Sequence, residues 1–176
     1  GVDAAGIEYV LVLAGQGVVA DGLAAHADVL GDHRAILARV LGQLAQISGA
    51  EFMPGPAAED TIRQGGAGSV LWLNNPKRFN ELQKVAVEES PSGIPLLFAL
   101  DVIHGYRTIF PVPLALASSW DPDAAEQAQS VAAKEARAAG IHWTFGPMID
   151  IARDARWGRI VEGAGEDPYL GSAMAA

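Results

Sequence analysis

The 176-residue chain contains no cysteine, which excludes a disulfide scaffold and thiolate metal sites. That absence does not separate a cytoplasmic from an exported protein, since many exported proteins also lack cysteine. Basic residues are scarce as well: 12 Lys and Arg stand against 21 Asp and Glu, a net charge of -9. Such a chain repels phosphate backbones and anionic lipid surfaces, so neither nucleic acid nor a membrane is expected as partner and neutral ligands are the easier ones. Long apolar runs are missing too. The stretch from Ile7 to Ala14 falls well short of the roughly 20 residues that cross a bilayer, and no basic segment precedes it to make an export signal. The 4 histidines, His26, His33, His104 and His142, do not stand at ligand spacing, and no H-E-x-x-H pattern occurs. No metal and no cofactor are therefore expected.

What the chain does have is enough apolar matter for one sizeable core: 50% hydrophobic residues with only 19% charged. Its 20 glycines and 10 prolines are dispersed, as turns between many short elements require, and no internal repeat is visible. Ile7 to Leu13 suits a buried strand, and Leu23 to Leu30 suits the start of a helix. From Asp32 to Ile47 the residues Ile36, Leu37, Val40, Leu41, Leu44 and Ile47 recur every three or four positions, which predicts a helix with Asp32 as N-cap and Gly49 as its stop. Gly68 to Leu73 reads as a strand, Pro76 to Glu89 as a helix, Ile94 to Leu100 as a strand, Asp121 to Ala139 as an alanine-rich helix and Ile141 to Phe145 as another strand. Near-continuous apolar strands separated by helices imply a parallel sheet covered by helices, hence an α/β fold. The strand spacing suits a (β/α) barrel or a doubly wound sheet. A whole eight-fold barrel needs about 250 residues, so roughly its first three or four units are expected here. Exposed strand edges would then favour a complementing chain or self-association.

In such folds the ligand site forms where strands end at their carboxyl side. Asp101 stands directly after one apolar run and is followed by His104, Gly105, Tyr106 and Arg107. After the last strand, Asp150 to Asp167 gathers Arg153, Asp154, Arg156, Arg159, Glu162, Glu166 and Asp167 around Trp157. A carboxylate at a strand end accepts hydrogen bonds from vicinal sugar hydroxyls, and an arginine fork donates to hydroxyl oxygens or holds the carboxylate. The competing reading is a solvated loop with a structural ion-pair network. A second candidate lies at Val10 to Ala20, where Gly15, Gly17 and Ala20 fit the G-x-G-x-x-A form of a dinucleotide-binding turn. Against it, the region where an acidic strand end should hold the ribose is helical by periodicity.

The segments LLFALDVIHGYRTIFPVPLALASSW and GIHWTFGPMIDIARDARWGRIVEGAGEDPYL resemble the corresponding motifs of glycoside hydrolase family 3, in its bacterial periplasmic β-glucosidase-like branch. The likeness runs from about Leu41, in LGQLAQISG, to Ala176. It implies residues 30–176 as the first part of a family 3 barrel domain, an incomplete TIM-type (β/α)8 barrel, with residues 1–29 an extension of uncertain origin. It also implies retaining hydrolysis of terminal non-reducing β-D-glucosyl residues, a β-glucoside or short β-glucan as substrate, and a periplasmic or secreted location. By the same resemblance Asp101 and Arg159 bind sugar hydroxyls and Glu162 belongs to a motif that supports the site; Arg156 and Trp157 are candidates to support them, and His104, three residues after Asp101, is a candidate either to support them or to touch the substrate itself. Retaining hydrolysis needs two carboxyl groups about 5–5.5 Å apart. In the family both the nucleophile and the acid/base come from later segments, so no catalytic residue is assigned here and the chain is expected to be inactive by itself; the alternative is a non-catalytic truncated module. Ala155 departs from the pattern, which has proline in R-D-P-R-W-G-R, and residues before Leu41 depart more widely.

Overall fold

A computed structural model of the chain describes residues 27–49 and 58–176. The expected strand at Ile7 to Leu13 and the Gly15, Gly17, Ala20 turn lie outside the described residues. The chain divides into Gly1–Ala38 and Arg39–Ala176. Of the first unit, the described part is the beginning of helix α1 (Ala27–Leu44).

The second unit continues α1 and then runs β1 (Gln46–Ser48), α2 (Ala58–Arg63), β2 (Ser69–Leu71), α3 (Pro76–Lys84) with a π turn (Val85–Glu89), β3 (Leu97–Leu100), α4 (Pro113–Ala117), α5 (Pro122–Ala138), β4 (Trp143–Thr144), a 3₁₀ turn (Ile160–Glu162) and α6 (Pro168–Ala175). All strands are parallel, in the order β1-β2-β3-β4, with Ile47 opposite Val70, Val70 opposite Phe98 and Ala99 opposite Trp143. Strands that neighbour one another in chain order, with no reversal, follow the progression of a barrel wall; a doubly wound sheet reverses at its switch point.

One expectation is corrected. The helix begins before Asp32 and ends at Leu44, and Ile47 belongs to β1. Ile36, Val40, Leu41 and Leu44 are exposed along it. The 3.6 periodicity ran on into a strand of three residues, too short to show a period of its own.

The remaining elements form for legible reasons. Asn75 caps α3 by accepting hydrogen bonds from the Lys77 and Arg78 amides at 3.1 and 3.3 Å, and Pro76 occupies the first turn, where no N–H is needed. Asp121 caps α5 through the Ala124 amide at 3.1 Å. The inner face of α5 is Ala125, Ala128, Ala132 and Ala136, a small-residue stripe that lets the helix backbone lie close to the sheet. Gly140, at φ +98°, ends this helix in a conformation that favours glycine. Phe98 is the centre of the core: it is 1% exposed, stacks on Phe79 at 4.3 Å and lies among Val70, Leu82 and Ala132. Burying such a side chain contributes roughly 1.5–3 kcal/mol. Gln83 ties α3 to the start of β3 by donating to the Leu96 carbonyl and accepting from its amide, both at 2.8 Å. Among the described residues, no helix is long and apolar enough to cross a membrane.

Candidate sugar-binding site

Because the strands are parallel, their carboxyl ends share one rim. Trp72 follows β2 at once, Asp101 follows β3, and the segment from Phe145 to Asp150 follows β4. Asp101 is exposed, and its Oδ2 accepts a hydrogen bond of 2.6 Å from the indole Nε1 of Trp72. No other donor reaches this carboxylate among the described residues. Trp72 adopts φ +62°, a left-handed backbone that costs a non-glycine residue about 1–2 kcal/mol. Strain of this kind collects at functional sites, where the surroundings over-determine it. Here the Trp72 amide is held by the Ala99 carbonyl at 3.2 Å and its side chain by Asp101.

The loop after Asp101 is organised by His104 and Glu135. The His104 carbonyl accepts from the Phe110 amide at 2.8 Å, and its Nδ1 lies 3.2 Å from the Phe110 carbonyl, closing a short hairpin. Gly105 turns it at φ +118°, where a Cβ would stand 2.1 Å from the Thr108 carbonyl oxygen. Glu135 of α5 accepts from the amides of Arg107 and Thr108 at 2.9 and 2.8 Å and from the Thr108 hydroxyl at 2.7 Å. These bonds, the Thr108 amide foremost, hold its carboxyl below the ordinary range. The Tyr106 hydroxyl donates to Asn74 Oδ1, which joins this hairpin to the loop after β2.

Arg159 and Arg156, three positions apart, have different partners. Arg159 donates from Nε and Nη2 to Glu162, the shortest bond being 2.6 Å, and Nη2 also lies 3.7 Å from Met148 Sδ. The bond to Glu162 above all raises the guanidinium pKa, with Asp101 and Asp150 adding electrostatically. Glu162 is lowered in return, first by the hydrogen bond from Arg159. Arg159 Nη1 has no acceptor among the described residues. Arg156 instead closes on Asp154 at 2.6 Å with a side chain 90% exposed. Trp157 is half-buried and donates its amide to the Asp154 carbonyl at 3.0 Å. The structure thus puts Asp101 and Arg159 within electrostatic reach of each other, with Glu162 and His104 bracing their loops, while Arg156 pairs locally with Asp154.

The position of Asp101 after an apolar run marks it from sequence, whereas Trp72 falls inside the strand expected over Gly68 to Leu73. Its position immediately after an apolar run was the available signal. Asn74 and Glu135 carry none beyond their polarity, since their partners lie far away in the chain, whereas Tyr106 stands in the cluster that follows Asp101.

A parallel sheet in barrel order, with Trp72 and Asp101 at the carboxyl ends of neighbouring strands, is the first part of a (β/α)-barrel domain. The Glycosyl hydrolase family 3 N terminal domain matches residues 36–176, and the chain belongs to that family of enzymes. It is 42% identical over 134 residues to a periplasmic beta-glucosidase of Salmonella typhimurium, covering 76% of this chain and 18% of that protein. A beta-xylosidase of Formosa agariphila is 35% identical over 127 residues, 66% of this chain and 18% of its own length. The crystal structure of a beta-glucosidase from Listeria innocua in complex with isofagomine superposes with a TM-score of 0.68 at 42% identity, covering 78% of this chain and 20% of that one. The chain therefore spans about a fifth of the length of these relatives.

Proposed function

We propose that the chain forms the sugar-gripping part of a retaining β-glucosidase, in which Asp101 accepts hydroxyls of the terminal non-reducing glucosyl unit and Arg159 donates to them. The observation that carries this is the state of Asp101: exposed on the rim, Oδ2 fixed by Trp72, and Oδ1 without a protein donor among the described residues. A carboxylate with a free oxygen, within electrostatic reach of a guanidinium, suits a neutral polyhydroxylated ligand. Arg159 Nη1 supplies the complementary donor. The two relatives of highest identity named above are beta-glucosidases, which favours glucosides over xylosides.

The bond-breaking carboxylates are assigned to none of the residues described. A general acid in a glycosidase needs a raised pKa, whereas Arg159 holds Glu162 below the ordinary range. Asp167 is engaged in capping α6 through the Leu170 amide at 2.7 Å. Residues 1–29 stand outside the barrel domain in this reading, in keeping with a family match that starts at residue 36.

The test uses the full-length gene product and nitrophenyl β-D-glucoside. Asp101→Ala is expected to lower kcat/KM on the order of 100-fold, the loss of hydrogen bonds to a charged group. An unchanged value contradicts the assignment, and a β-D-xyloside turned over faster than the glucoside redirects the substrate. Turnover by residues 1–176 alone would refute the placement of the catalytic carboxylates elsewhere.

A further inference from the structure

The geometry points to Trp72 as a further substrate-contacting residue of this site, clamping Asp101 through Nε1 and presenting its ring as a platform for the sugar's apolar face. This rests on the sugar-binding reading of Asp101. Three observations on different atoms carry it. First, the indole is tied at its nitrogen, 2.6 Å from Asp101 Oδ2, so its one polar group is satisfied by the carboxylate that grips the ligand. Second, the residue remains 45% exposed despite that anchor, as Trp143 also is, so a ligand held by Asp101 can reach it. Third, its backbone stands at φ +62° directly after β2, which breaks the alternation that an extended residue would continue. Trp120 also adopts a left-handed backbone, at φ +54°, so what sets Trp72 apart is this conformation at a strand end next to Asp101.

The chemistry matches a pyranose. A glucosyl ring has C–H groups on its faces and hydroxyls around its edge, so it fits a flat apolar surface standing next to an acceptor. Trp72 supplies the surface and Asp101 Oδ1 the acceptor, while the Nε1–H bond sets the carboxylate plane that relates them. The Tyr106–Asn74 hydrogen bond adds a second tether between the same two loops, so platform and acceptor keep their spacing.

The experiment uses the full-length gene product with D-glucose as probe. Trp72→Phe keeps a flat ring and removes the donor; it is expected to raise the glucose Kd roughly tenfold, as loss of a hydrogen bond to a charged group does. Trp72→Ala is expected to raise it further. In the wild-type protein, glucose should shield Trp72 from hydroxyl-radical oxidation mapped by mass spectrometry. Trp120, which is 66% exposed, provides the comparison within the same sample. Wild-type affinity in a folded Trp72→Phe variant overturns the clamp, and undiminished oxidation of Trp72 at saturating glucose overturns the contact even where the variants do not fold. Asp101→Ala measured alongside separates the two levels. If that variant loses glucose binding and Trp72 proves indifferent, the platform alone fails; if it binds glucose normally, the reading of the site fails with it.

Discussion

Strand β3 passes from the buried interior to the solvated rim within three positions, from Phe98, which is 1% exposed, to the exposed Asp101. Around Phe98 the contacts are apolar and close: Phe79 stacks on it, and Val70 and Ala132 are fully buried nearby. Around Asp101 they are directional and few: Trp72 bonds the carboxylate, while His104 and Glu135 hold the loop that follows it and Glu162 holds Arg159. The interior holds its shape by excluding water from every side of each group. The rim does so by hydrogen bonds that leave particular atoms unsatisfied, and those atoms are where a ligand gains most. Substitutions in the two regions should therefore separate stability from binding.

The largest effect on that contrast belongs to the interior. Phe98→Ala is expected to cost about 3–5 kcal/mol of stability, read from urea unfolding. A loss below about 1 kcal/mol would mean that the sheet and α3 are not held as described.

A smaller effect arises at the boundary of the core, at His142. Its Nδ1 accepts from the Phe98 amide at 3.1 Å, which requires that nitrogen unprotonated, and its ring stacks on Phe98 with centroids 5.9 Å apart. Partial burial, helped by Arg137, lowers its pKa below the ordinary value of 6.5. A base with a depressed folded-state pKa leaves the unfolded state binding more protons, so its contribution is present above pH 6.5 and is lost as the pH falls toward the folded-state value. The melting temperature should fall as the pH drops below 6.5, and His142→Gln should flatten that part of the curve. An identical slope in the variant would remove His142 from the account.

The smallest effect is expected on the rim where a charge pair faces only solvent. Arg156→Ala should change stability by less than about 1 kcal/mol and leave the glucose Kd as it was, because exposed ion pairs contribute little. A large change in Kd would move Arg156 from the Asp154 pair into the binding site.

The sequence made the alternation of strands and helices readable from Gly68 onward because those strands are apolar runs and those helices carry caps and stops, such as Asn75, Asp121 and Gly140. Strand β1 was not readable, since its three residues QIS offer no alternation and Ile47 completes a helical spacing. Asp101 could be found because it ends an apolar run. The distinction between Arg156 and Arg159 rested on the family resemblance alone, because both lie in one loop with an acidic neighbour two or three positions away, and the folded loop shows which carboxylate each meets. Trp72 was hidden for another reason. Neither its left-handed backbone nor its bond to a residue 29 positions later leaves a mark on local sequence.

We propose above that the rim grips a sugar through Asp101 and Arg159. This grip is tested most directly by calorimetric titration of the full-length gene product with D-glucose, comparing wild type, Asp101→Ala, Arg159→Ala and Arg156→Ala. The account predicts glucose affinity reduced at least roughly tenfold in the first two variants and retained in the third. Wild-type affinity in folded Asp101→Ala would contradict it.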